Sequence, residues 1–164
     1  GVGKTTLIRR VAARLPGRVG GFYTRELREG GVRVGFELVV LDGQRGILAH
    51  VNRRGGHRVG KYGVDLVVLD GLGVQALREA ARQADYVVVD EIGKMELLSG
   101  AFVGVLRELV RGPYRVLGSI MSQPHPGADE VKREPGVHVL EVTAAHRDRL
   151  EQELLALLVD GARG

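Results

Sequence analysis

Residues 86–91 read Tyr86-Val87-Val88-Val89-Asp90-Glu91, four large apolar side chains followed at once by two carboxylates. Alternating polarity would mark a strand with one wet face. A continuous apolar run bounded by charge instead fits a strand covered on both faces, as in a parallel sheet. In such sheets ligands bind beyond the carboxyl ends of the strands, where Asp90 and Glu91 stand. An acidic pair can also simply cap the next turn, and this stretch alone leaves both readings open.

The surrounding chain decides in favour of an α/β domain. After residue 60 strands and helices alternate: strands are predicted near 64–69, 85–90, 115–121 and 137–142, and helices at 74–84, 101–111 and 146–159. Before it the rhythm differs. Residues 4–15 form a helix with Leu7, Ile8, Val11, Ala12 and Leu15 on one face and Arg9, Arg10 and Arg14 on the other, stopped by Pro16-Gly17. Runs at 18–28, 32–41 and 47–51, separated by Gly30-Gly31 and by Asp42-Gly43, predict an antiparallel meander. The polar stretch 52–58 is expected to be a loop. The expectation is one domain over 1–164: three layers, a mainly parallel sheet, and an antiparallel insertion.

The chain opens Gly1-Val2-Gly3-Lys4-Thr5-Thr6, directly before the first amphipathic helix. A phosphate-binding loop has the pattern G-x-x-x-x-G-K-[ST] after a strand. Gly3-Lys4-Thr5 supplies its end; the leading glycine and the feeding strand are not in the sequence, so the first strand is expected to be missing. Glycines let the backbone curl round phosphates, and the helix adds its positive N-terminal end. Lys4 would reach the β- and γ-phosphates and the Thr5 hydroxyl would ligate Mg²⁺. Opposite the loop, Asp90 could hold the same Mg²⁺ while Glu91 takes a proton from the attacking water. Lys4 and Glu91 are therefore the catalytic candidates, and Thr5 and Asp90 the metal ligands.

Composition narrows the alternatives. With 164 residues, 44% of them hydrophobic, the chain can bury a substantial core, and no apolar run approaches the roughly 18 residues that span a bilayer. The lack of cysteine excludes disulfides, thiolate metal sites and a cysteine nucleophile, and fits a cytoplasmic location. The net charge of +4 comes from arginine, since lysine occurs only at Lys4, Lys61, Lys94 and Lys132. The arginines are dispersed and aromatics make up 4% of residues, which leaves few stacking platforms for nucleic acid.

Gly21-Phe22-Tyr23-Thr24, Arg33-Val34-Gly35-Phe36, Val59-Gly60-Lys61-Tyr62 and above all Asp90-Glu91-Ile92-Gly93-Lys94-Met95-Glu96-Leu97 resemble the small nucleoside-triphosphatases of thermophilic archaea and bacteria, a family with a vertebrate, cancer-related member. The resemblance runs in order from residue 1 to about 150. It implies a recombinase-like P-loop NTPase sandwich. It also implies hydrolysis of ATP, GTP and other nucleoside triphosphates to diphosphates, with little base discrimination. Residue by residue it assigns nucleotide binding to Gly1, Val2, Gly3, Lys4, Thr5, Thr6, Asp90 and Glu91, with Ile92, Gly93 and Lys94 in the same block. His146 departs from the family pattern; Arg147, beside it, could still stack on a base through its planar guanidinium.

For charge on the transferring phosphoryl group the candidates are Arg25, Arg28, Arg33, Arg53, Arg54, Arg58 and Lys61. Met121-Ser122-Gln123, after the 115–121 strand, could sense the γ-phosphate. A small-molecule kinase would use the same loop with an acceptor in place of water, and a nucleotide-dependent RNA-binding module would use the basic surface. Glu91, directly after the metal aspartate, favours water.

Overall fold

The computed structural model describes residues 3–160. The chain begins with helix α1, Lys4–Arg14, which buries Leu7, Ile8 and Val11. Then come β1 (Val19–Glu29), β2 (Val32–Val40), β3 (Arg45–His50), β4 (His57–Val59) and β5 (Tyr62–Val64). Helix α2 (Leu66–Val68) continues through one wide turn, Leu69–Val74, into α3 (Gln75–Gln83). The remainder is β6 (Tyr86–Ile92), α4 (Gly100–Arg111), β7 (Val116–Ile120), α5 (Pro126–Lys132) and α6 (Arg147–Val159).

All seven strands join one sheet in the order β4-β5-β3-β2-β1-β6-β7. β1 is the junction. Its start, Val19–Phe22, pairs in parallel with Tyr86–Val89, and from Phe22 to Glu29 it pairs antiparallel with β2. Gly30 and Gly31 turn that hairpin with φ of 57° and 80°, values that a side chain would resist. β6 and β7 are parallel. Parallel pairing is thus confined to β1-β6-β7; the insertion, expected as an appendage to a mainly parallel sheet, extends the same sheet because β1 runs on past the end of β6.

The alternation of β6 builds the three layers. Tyr86 and Val88 pack with Leu7, Ile8, Val11, Leu117, Leu150 and Leu158, under α1 and α6. Val87 and Val89 pack on the other face with Phe22, Leu77, Phe102 and Leu106, under α3 and α4. All four side chains are at most 2% exposed, so each contributes about 1.5–3 kcal/mol by burial. This holds the strand that carries Asp90 and Glu91 from both sides.

Three local expectations are corrected. The run 64–69 is not a strand beyond Val64: the Asp65 carboxylate accepts from the amides of Val67 and Val68 at 3.0 and 3.2 Å and starts a helix. Residues 137–142 form no strand, although Leu140 and Val142 still pack against the α1–α6 core. Helix α5 was not foreseen; Nδ1 of His125 accepts the Gly127 amide at 3.1 Å and Pro126 occupies its first turn.

Candidate active site

Three element ends meet at the carboxyl edge of the parallel strands: the N-terminus of α1, the end of β6 and the end of β7. Gly1 and Val2 lie outside the described residues. Gly3 precedes α1 with φ 83°, and its carbonyl accepts the Leu7 amide at 3.0 Å. Lys4 then extends across the edge: its Nζ donates to Glu91 Oε2 at 3.0 Å and to the Ile120 carbonyl at 3.4 Å. Both partners are about one-third exposed, so the ion pair itself is worth no more than about 1 kcal/mol. Its significance is its position.

Asp90 and Glu91, adjacent on β6, point to different partners. Asp90 is buried, and its Oδ1 accepts from the Ser119 hydroxyl. Oδ2 is buried with no hydrogen-bond partner of normal geometry, and Thr5 stands close enough to affect the carboxyl. Burial pushes the Asp90 pKa up; Ser119 and Thr5 pull it down, Glu91 raises it and Lys4 lowers it, and the net direction is upward. A buried, unpartnered carboxylate oxygen is costly unless something else satisfies it.

The site opens into a pocket of about 360 Å³. Lys4, Glu91, Gly93, Lys94 and Glu96 line one side, Met121, Ser122 and Gln123 another, and Thr24, Phe36, Leu48 and Val59 of the antiparallel wing close it. On the opposite side of the loop lies Arg147: a Cβ built on Gly3 would stand 2.5 Å from its Nη1. The structure therefore gathers Gly3, Lys4, Thr5, Asp90, Glu91, Gly93, Lys94 and Arg147 round the start of α1. Thr6 is exposed on the first turn of that helix. Ile92 points its side chain into the core, leaving its carbonyl to accept the Met121 amide at 3.0 Å.

This fold is found in known proteins. The family model described as NTPase matches residues 1–155. The chain belongs to the NTPase family. Nucleoside-triphosphatase THEP1 of Thermotoga petrophila is 44% identical over 96% of this chain and 88% of its own length. The protein of the same name from Methanocaldococcus jannaschii is 36% identical over 99% and 95%. Among solved structures, the crystal structure of THEP1 from Aquifex aeolicus superposes with a TM-score of 0.88 at 34% identity, covering 96% of this chain and 94% of that one. The solution structure of a human cancer-related nucleoside triphosphatase gives 0.79 at 35% identity, over 98% and 93%. The chain is accordingly an enzyme with the P-loop NTPase fold.

The arginine candidates of the insertion do not converge here. Arg25 binds Glu37 at 2.6 Å, Arg28 binds Glu26 at 2.9 Å, Arg33 donates to the Tyr62 hydroxyl at 2.9 Å and Arg53 faces Asp65 at 3.2 Å. Arg58 donates to two main-chain carbonyls, and Lys61 sits 5.5 Å from the Tyr62 ring. None of these side chains lines the pocket. Two residues went unassigned in the sequence reading: Ser119, which holds Asp90, and the buried Glu96. Ser119 meets Asp90 where the register of β6 and β7 shifts between Val89 and Ile92, a placement that sequence spacing does not carry.

Proposed function

We propose that this chain hydrolyses nucleoside 5′-triphosphates to diphosphate and inorganic phosphate in a Mg²⁺-dependent reaction with Glu91 as general base. The observation that carries the reading is the Lys4–Glu91 contact, which sets an ammonium and a carboxylate 3.0 Å apart where the α1 N-terminus meets the strand ends. The donors also suit a hard divalent cation: a hydroxyl at Thr5 and an unpartnered buried carboxylate oxygen at Asp90. Thr5 and Asp90 would hold Mg²⁺, which when bound neutralises charge on the β- and γ-phosphates.

Incoming phosphates compete with Glu91 for Lys4. Binding of the substrate and release of the base from its ion pair are then one event. Freed, Glu91 accepts a proton from the water that attacks the γ-phosphorus, the bond to the β–γ bridging oxygen breaks, and Lys4 meets the negative charge left on the diphosphate. Ser119 keeps Asp90 oriented. Arg147, close to Gly3, would stack on the base through its planar guanidinium. Lys94 faces the phosphates from the pocket wall. No helix among the described residues is long and apolar enough to cross a membrane, and we place the enzyme in the cytoplasm on its lack of cysteine.

Glu91→Gln keeps the shape and removes the base. It should lower kcat by about 10²–10⁴-fold with nucleotide affinity nearly unchanged; turnover at the parental rate would remove Glu91 from the reaction. The sequence contains no N-K-x-D signature of the kind that reads guanine, so kcat/KM for ATP and GTP should agree within about tenfold, or about 1.4 kcal/mol. A preference beyond a hundredfold would show a base-reading contact. A small-molecule kinase would use the same loop with an acceptor in place of water. Inorganic phosphate released with no acceptor present decides for hydrolysis.

A further inference from the structure

Glu96 opens the short turn Glu96–Leu98 after β6 and is 4% exposed, about as buried as Asp90. Its Oε1 accepts the Gly93 amide at 3.2 Å. The same turn is tied by the Leu97 amide to the Gly93 carbonyl at 3.0 Å, and its start is tied to β7 by the Met121 amide on the Ile92 carbonyl. Gly93 lies between two carboxyl groups. A Cβ built on it would stand 2.9 Å from Glu91 Oε1 and 3.1 Å from Glu96 Oε1. Glu91 is thus bounded on one side by Lys4, through Oε2, and on the other by main chain whose place Glu96 sets.

We propose that Glu96 is a positioning residue for the reaction: by holding the Gly93 amide it fixes the turn against which the Glu91 carboxylate rests, and so aims Glu91 at the phosphate end of the site. This rests on the reading of Glu91 as base. Glu96 touches no reacting atom in this arrangement.

The electrostatics explain how a carboxyl can serve here. Burial pushes the Glu96 pKa up to about 8; Glu91 and Asp90 of β6 add to the rise, and the Gly93 amide opposes it. Lys4 from α1 and Lys94 of the turn line the same pocket. At neutral pH Glu96 is protonated, so it accepts from Gly93 without adding a third negative charge beside Asp90 and Glu91. The native state holds this proton to about pH 8, whereas the ordinary value is 4.5. Between those limits the unfolded chain binds fewer protons, and stability falls as pH rises through the interval.

The test compares Glu96→Gln, Glu96→Ala and Gly93→Ala with the parent, using Mg·ATP as substrate. Gln is a neutral acceptor of the same length: it should keep kcat within about threefold at pH 7 and flatten the decline in melting temperature between about pH 4.5 and 8. Ala leaves the Gly93 amide unheld and should lower kcat by about 10–100-fold with KM little changed. Gly93→Ala, which crowds Glu91 directly, should do the same even if Glu96→Ala fails to fold. The proposal is overturned by parental kcat in Glu96→Ala or Gly93→Ala, or by a kcat in Glu96→Gln as low as in Glu96→Ala. Glu91→Gln is the control: if it turns over normally the base reading fails, whereas an inactive Glu91→Gln beside a fully active Glu96→Ala sinks only the role of Glu96.

Discussion

The two halves of the sheet treat charge in opposite ways. In the antiparallel wing, carboxylates and arginines answer one another near the surface: Glu37 takes Arg25 at 2.6 Å with Arg45 at 3.9 Å, and Glu26 takes Arg28 and Arg33. At the ends of the parallel strands the polar groups are answered less fully within the chain. Asp90 keeps an unpartnered buried oxygen, Glu96 is buried with its pKa raised, and Lys4 and Glu91 have chiefly each other. Unsatisfied buried groups cost stability and persist where a ligand completes them. The contrast separates scaffold from site more sharply than sequence position does, because the wing also supplies Thr24, Phe36 and Val59 to the pocket wall.

If the contrast is sound, the largest effect after loss of the base should come from Lys4. Lys4→Ala should weaken Mg·ATP binding by about a hundredfold, or about 2.7 kcal/mol, while the melting temperature moves little, since its ion pair is about one-third exposed. Unchanged affinity by calorimetry would break the assignment. Asp90→Asn should raise the Mg²⁺ concentration for half-maximal turnover by at least about tenfold. Without metal it should leave the fold as stable as the parent or more so, because it removes a buried charge whose Oδ2 lacks a partner. A large loss of stability with an unchanged metal requirement would mean that Asp90 is structural. The smallest effect belongs to the wing: Arg25→Ala should cost about 1 kcal/mol or less in urea titration and leave kcat unaltered. A tenfold fall in kcat would show that the wing takes part in the chemistry.

The parallel core was legible because its signals are local and redundant. The run Tyr86–Val89 is continuously apolar, as fits a strand covered on both faces, and the acidic pair follows it directly; α1, α4 and α6 fall within a residue or two of where their apolar spacing put them. The same reasoning failed at Leu66-Val67-Val68, where β-branched residues read as a strand but the Asp65 cap imposes a helix and leaves Val67 80% exposed. It failed at 137–142 because an apolar segment becomes a strand only with a neighbour to bond, which composition cannot supply. In the candidate site, the loop end at Gly3-Lys4-Thr5 and the acidic pair Asp90-Glu91 were legible as candidates from residue type and spacing. Ser119 and Glu96 were not, since one acts through strand register and the other through a turn, and neither leaves a pattern in sequence spacing.

The double pairing of β1 also bears on the order in which the molecule assembles. Its second half closes on β2 through a hairpin across Gly30-Gly31, a short loop that costs little entropy and can form within microseconds. Its first half must wait for Tyr86–Val89, brought back across the whole insertion and α3. Non-local parallel contacts of this kind are slow to form. The wing should therefore be a template, in place before the strand that bears Asp90 and Glu91 arrives beside it. In pulse-labelled hydrogen exchange during refolding, amides of β2 should gain protection before those of β6, and the reverse order would refute a wing-first route.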